Sequence, residues 1–200
     1  MERVMIFIDG SNLYHGLVRL YQAIYEDFES FQMDFACFAD SLCGAGRRLI
    51  HTHYYNVPLR QQDDPEAYAA QQRFLSYIRS LPYFTLHLGR LVPRDRLLEC
   101  QECGRRTMHT YRTEKGVDVY IATHMLVMAF DGQYDTAILV SGDGDFAGAV
   151  EEVIRLQKDV ENADLATSEP TFLSQRCTRK IELTRDFLEP CVTIRHSRTS

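Results

Sequence analysis

The 200-residue chain is 45% apolar, 25% charged and 11% aromatic. That is ordinary globular composition, which excludes a fibre, a collagen-like repeat and a largely disordered chain. With 22 basic against 28 acidic residues the net charge is −6, so any nucleic-acid contact must rest on a local basic patch, or on a metal that offsets the acids. The length suits one domain with a small insertion. Val4 to Ile8 is too short an apolar run for a secretory segment, and no stretch approaches the ~18 apolar residues of a membrane helix. The expectation is a cytoplasmic protein with no membrane partner. The six cysteines, Cys37, Cys43, Cys100, Cys103, Cys177 and Cys191, are then expected as free thiols or metal ligands rather than as a disulfide framework.

Residues 3–8 are rich in β-branched side chains and end at Asp9-Gly10, which predicts a fully buried strand. Ser11 or Asn12 is the predicted cap of the next helix, with Leu13, Leu17 and Leu20 on its apolar side. A helix is predicted over 33–42 and a strand over 49–57. Pro58 and Pro65 bracket a polar loop. Pro65 suits a helix start, and Tyr68, Phe74, Leu75 and Ile78 give that helix an apolar face which Pro82 closes. A strand over 85–92 follows. Residues 93–115 have no clean period and read as a loop or small ribbon. Residues 117–130 are helical and apolar on most sides, hence buried. A strand over 136–140, a turn over 141–145 and a helix over 146–156 come next. Beyond Lys158 the pattern weakens to a strand near 160–163, a helix near 171–177 and a last strand near 181–183. The organisation read from this is one domain over 1–190, an insertion at 93–115 and a tail at 191–200, loose from Arg195 onward. Alternating strands and helices imply a parallel, three-layered α/β domain. In such sheets ligands sit beyond the carboxyl ends of the strands, where the strand order switches.

Acids fall at those ends. Asp9 follows the first strand, Asp143 and Asp145 follow the strand over 136–140, and Asp118 opens the buried helix after Lys115-Gly116-Val117. Carboxylates a few ångströms apart repel, so they must protonate, separate or bind a cation. Magnesium and manganese take such oxygen ligands. Each aspartate alone is more often a helix cap. The set, each member at a strand end or helix start, points to a metal site.

Phe7-Ile8-Asp9-Gly10-Ser11-Asn12, Lys115-Gly116-Val117-Asp118 and Val140-Ser141-Gly142-Asp143-Gly144-Asp145-Phe146 resemble the three signature blocks of the NYN domain. More narrowly they resemble the LabA-like branch of the PIN-like nuclease superfamily. The similarity runs through roughly the first 160 residues. It implies a PIN-like (Rossmannoid) fold with a central parallel sheet in the order 3-2-1-4-5. It also implies a metal-dependent endoribonuclease, in which Asp9, Asp118, Asp143 and Asp145 hold Mg²⁺ or Mn²⁺ and RNA phosphodiester bonds are hydrolysed by water activated there. Asn12 and Ser141 match polar residues lining that site, and Lys115 is placed to hold a phosphate oxygen. Relatives often carry a second aspartate six residues after the position of Asp118. Here that position is His124, about 120° around the helix from Asp118, which reads as a packing residue. A histidine ligand would favour Mn²⁺, Fe²⁺ or Zn²⁺ over Mg²⁺.

Cys100 and Cys103 have the spacing of half a zinc knuckle, and His109 is a candidate third ligand. The other reading is two reduced thiols in a surface hairpin. Between Arg90 and Lys115 seven basic residues face four acidic ones. Arg105, Arg106, Arg112 and Lys115 are expected to meet an RNA backbone there, with Tyr111 as a stacking surface. The competing reading is a solvated loop. The expected partner is single-stranded RNA, with a homodimer as a candidate state. His15, His51, His53 and His87 read as structural, and Phe28, Phe31, Phe35 and Phe38 as core contacts. The rival function is a non-hydrolytic RNA- or protein-binding regulatory module, which His124 supports. A dehalogenase-type phosphohydrolase would need an acid where Ser11 stands, and a dinucleotide site would need G-x-G-x-x-G in the first turn.

Overall fold

The computed structural model describes residues 1–99, 103–165 and 171–197. Strand β1 (Arg3–Asp9) is apolar on both faces and takes the middle of a six-stranded sheet. Helix α1 (Gly10–Ile24), strand β2 (Phe28–Met33), helix α2 (Phe35–Cys43), strand β3 (Arg48–Asn56), helix α3 (Pro65–Ser80) and strand β4 (Phe84–Leu88) follow. A hairpin of β5 (Arg90–Glu99) and β6 (Arg106–Lys115) leads into helix α4 (Val117–Phe130) and strand β7 (Thr136–Val140). Helix α5 (Ala147–Arg155), strands β8 (Asp159–Leu165) and β9 (Arg179–Leu183), helix α6 (Arg185–Leu188) and strand β10 (Val192–His196) complete the described chain.

The large sheet is wholly parallel, in the order β4-β3-β1-β7-β8-β9. Counted along the chain this is the expected 3-2-1-4-5 with one more strand, β9, added at the edge. Alternation along β1 builds two cores. Val4, Ile6 and Ile8 pack with α1, α2 and α3, while Met5 and Phe7 pack with α4 and α5. None of the described helices is long and apolar enough to cross a membrane.

Several elements differ from the sequence reading. Asp9 itself caps α1, accepting from the Asn12 amide, so neither Ser11 nor Asn12 is the cap. Asp34 caps α2, and Met33 belongs to β2 rather than to the helix. The strand predicted over 85–92 breaks at Gly89, where a Cβ would fall 2.8 Å from the Lys115 carbonyl oxygen and 2.9 Å from Val117. Only glycine lets β4 turn out against the hairpin's root. The helix expected near 171–177 is a short 3-10 turn, Ser174–Arg176. The segment read as a tail folds back instead. Strand β10 pairs antiparallel with β2, and Cys191 is joined to Cys37 by a disulfide with the Cα atoms 5.5 Å apart. The expectation of unpaired cysteines therefore fails for these two, because the turn leading into β10 sets Cys191 against the start of α2, where the Asp34 amide also donates to the Cys191 carbonyl.

Candidate active site

The β1–α1 and β7–α5 turns stand side by side because β1 and β7 are neighbours in register, with Ile8 opposite Val140. Crossed hydrogen bonds lock them. The Asp9 carboxylate accepts from the Asn12 amide at 3.1 Å and from the Ser141 hydroxyl at 3.2 Å. The Ser141 oxygen in turn accepts from the Asp143 amide at 3.2 Å, and Asn12 Oδ1 accepts from the Gly142 amide at 3.0 Å. Asp143 accepts from the Asp145 amide at 2.9 Å, closing the acidic turn. Asp118 lies in the first turn of α4 and does not cap it; Gly116 holds the cap position.

Electrostatics join these acids into one group. Asp9 is 6% exposed, and burial, reinforced by the Asp118 and Asp143 charges, pushes its carboxyl up to about 6 against the relief of its two hydrogen bonds. Asp118 is shifted up by burial and then by Asp143 and Asp145, with Lys115 opposing. Among the described residues no lysine, arginine or histidine forms an ion pair with Asp9, Asp118, Asp143 or Asp145. Uncompensated carboxylates of this kind are the donor set a hard divalent cation prefers. Among the described residues no three acidic, imidazole or thiol side chains already stand at the spacing of a shared ion. The acids thus share a field rather than a closed cage.

Two residues of this edge were missed in the sequence. Asp164, the last residue but one of β8, has its carboxylate against Gly142, where a Cβ would fall 2.8 Å from Oδ2. Its carboxyl is shifted up by burial. Asn162 is fully buried and its side-chain amide donates to the Ser141 carbonyl at 2.8 Å, fixing the turn from beneath. An acid at the carboxyl end of a strand was the available signal, but the strand predicted near 160–163 runs on to Leu165 and so takes in Asp164.

The other named residues lie elsewhere. His124 bonds the Tyr55 hydroxyl at 2.9 Å and packs between Tyr120 and His87. His53 pairs with His87 at 3.0 Å, and burial holds them down to about 3 and about 4, so both are neutral. Cys100 lies outside the described residues. Cys103 is an exposed free thiol, and His109 stacks on Tyr111 in β6. Lys115 stands at the hairpin's root, three residues from Asp118. Arg106 pairs with Glu99 and Arg112 with Asp63, each at 2.9 Å, while Arg105 is exposed in the turn.

The NYN domain model matches residues 3–184. The chain belongs to the NYN domain family. A solved structure of a Vibrio parahaemolyticus protein of unknown function has 23% sequence identity and a TM-score of 0.61, with 94% of this chain and 96% of that one covered. At that identity the likeness is one of fold. No curated protein matches the chain. In this NYN domain the acidic turns after β1 and β7 stand side by side at one sheet edge.

Proposed function

We propose that this NYN domain is a metal-dependent endoribonuclease, a hydrolase that cuts single-stranded RNA at the acidic strand ends. The observation that supports the reading is the mutual influence of the charges of Asp9, Asp118, Asp143 and Asp145 near the switch in strand order, opposed by no ion-paired cation among the described residues. Those four carboxylates would hold Mg²⁺ or Mn²⁺, which supplies a water of lowered pKa and offsets charge on the phosphate. The chain's own part is positional. Ser141 and Asn12 hold the two turns in mutual register. Lys115, exposed beside Asp118, meets a non-bridging phosphate oxygen. The motif spacing further supports the LabA-like branch, and the proposal extends to a cytoplasmic site of action, against which the Cys37–Cys191 disulfide counts.

The test is cleavage of a labelled unstructured RNA with added Mn²⁺. Asp143→Asn should lower the rate at least about 100-fold, the several kcal/mol that a catalytic ion supplies, and EDTA should abolish it. Activity that survives both would overturn the reading. The second reading, a non-hydrolytic RNA- or protein-binding module, rests on His124, which stands in aromatic packing where relatives offer an acid. RNA binding without Mn²⁺-dependent cleavage would favour it.

A further inference from the structure

The hairpin has two chemically different faces. Its register runs without a break from Arg90 opposite Lys115 to Glu99 opposite Arg106, and residues directly opposite in an antiparallel pair share a face. One face therefore carries Arg90, Arg94, Arg96 and Lys115 together with His109 and Tyr111, and no acid. The other carries every strand acid, each engaged. Asp95 accepts from Thr110 at 2.7 Å, Glu99 from Arg106 at 2.9 Å and Glu114 from Ser11 at 3.2 Å. Arg112, on that same face, is spent on Asp63. Among the described residues the four cations of the first face have no ion-pair partner. The His109 and Tyr111 rings lie nearly parallel, 10° apart, and Tyr111 is 41% exposed.

We propose that this cationic face binds a single-stranded RNA segment as it leaves the acidic edge, in place of the arginines at the turn and on the opposite face. The inference rests on the nuclease reading of that edge. Unpaired cations spaced along ~20 Å of strand suit a polyanion. The parallel rings offer a surface on which any base can stack, a combination that marks single-stranded nucleic acid rather than a generic anion. The arm is also fixed to the site. Gly89 and the Lys115 carbonyl meet at its root, and the Ser11–Glu114 bond ties it to α1. Lys115 then bridges the arm to Asp118.

The experiment uses the full chain carrying Asp143→Asn, so that RNA binds without turnover, and follows the anisotropy of a fluorescein-labelled unstructured RNA across a salt series. R94Q/R96Q and R106Q/R112Q remove the same charge from opposite faces. The first should weaken binding at least about tenfold and reduce the slope of log K against log salt by about 1.4, the value for two lost phosphate contacts on a single strand. The second should change affinity less than about twofold. Tyr111→Ala should weaken binding about fivefold and Tyr111→Phe should restore it. Equal losses from the two pairs, no loss from R94Q/R96Q, or equal affinity for heparin or an acidic polypeptide would overturn the proposal. RNA that binds through this face but is never cut with Mn²⁺ by the chain with Asp143 intact would break only the nuclease reading. Cleavage whose KM ignores R94Q/R96Q would break only this one.

Discussion

The two ends of the parallel sheet treat the same side chain in opposite ways. At the amino ends of the strands Asp135 is gripped by Arg3 at 2.7 Å with Lys158 at 3.8 Å, and hydrogen bonding to Arg3 draws its carboxyl down to about 2. Nearby, Glu161 and Arg47, 8% and 13% exposed, pair at 2.9 Å, with Arg179 and Glu2 each 3.5 Å away. At the carboxyl ends Asp9 is buried without a cation and is pushed up to about 6. The first end fastens the fold. The second holds a desolvated carboxylate with no partner cation, a cost that protonation or a bound cation relieves, which is how a site poised for a ligand differs from a structural ion pair.

Breaking the fastened end should produce the largest effect. Arg47→Met leaves the Glu161 carboxylate buried with only the more distant Arg179, and Arg47 also donates to the Leu42 carbonyl at 3.0 Å. Removing one partner of such a pair costs about 3–5 kcal/mol, readable by urea unfolding. A loss below about 1 kcal/mol would erase the contrast between the ends. The next effect lies in pH. Asp9 is protonated in both folded and unfolded chains below pH 4. As pH rises through about 6 the folded chain must ionise a carboxyl it holds above the ordinary value, so stability is lost, about 3 kcal/mol over the window. In EDTA-treated protein Asp9→Asn, which can still cap α1, should flatten that fall. Asp135 has the opposite sign. Its contribution is present above about pH 4 and is lost as pH drops towards about 2, so Asp135→Asn should weaken acid dependence at the low end. Thermal midpoints across pH for both variants check the pair, and a shared sign would contradict the contrast.

Much of this architecture is legible in the chain because it is local. The helix over 117–130 and the strand over 136–140 are found at the predicted bounds, since continuous apolar runs flanked by glycine and acidic turns leave little choice. The three acidic blocks were readable as spacing, and register then sets Asp9 beside Ser141. What depended on distant partners was not readable. β2 is half-buried and makes sense only against β10, and Cys37 finds Cys191 across 154 residues. β8 was predicted only over 160–163, because Glu161 and Asn162 break its apolar pattern, whereas the strand runs from Asp159 to Leu165. Arg47 and Arg179 both reach Oε1 of Glu161, and the Leu139 and Ser141 carbonyls accept from the amide nitrogen of Asn162. In the hairpin, composition revealed excess positive charge but not its sorting, because the faces follow from a period of two that a count of residues cannot show.

The smallest effect tests how tightly the unpaired end is built. Gly142 is held in front by Asn12 at 3.0 Å and behind by the Asp164 carboxylate, whose oxygens would lie 2.8 and 3.1 Å from an added Cβ. Neither the turn nor so short a side chain can retreat far, so Gly142→Ala should cost about 1–2 kcal/mol, as overpacking does. Asp164→Ala alone removes a buried carboxyl already shifted up and should be close to neutral at pH 7. The double variant should then recover about 1 kcal/mol, a coupling that a thermodynamic cycle isolates. A coupling under about 0.3 kcal/mol would mean that the two turns are looser than their hydrogen bonds indicate. The same proteins also ask whether Asp164 belongs to the ion's surroundings. A ligand that binds only the folded chain raises its stability, so a smaller Mn²⁺-induced rise in thermal midpoint for Asp164→Ala would add a fifth carboxylate to the site, and an unchanged rise would leave Asp164 as the wall behind Gly142.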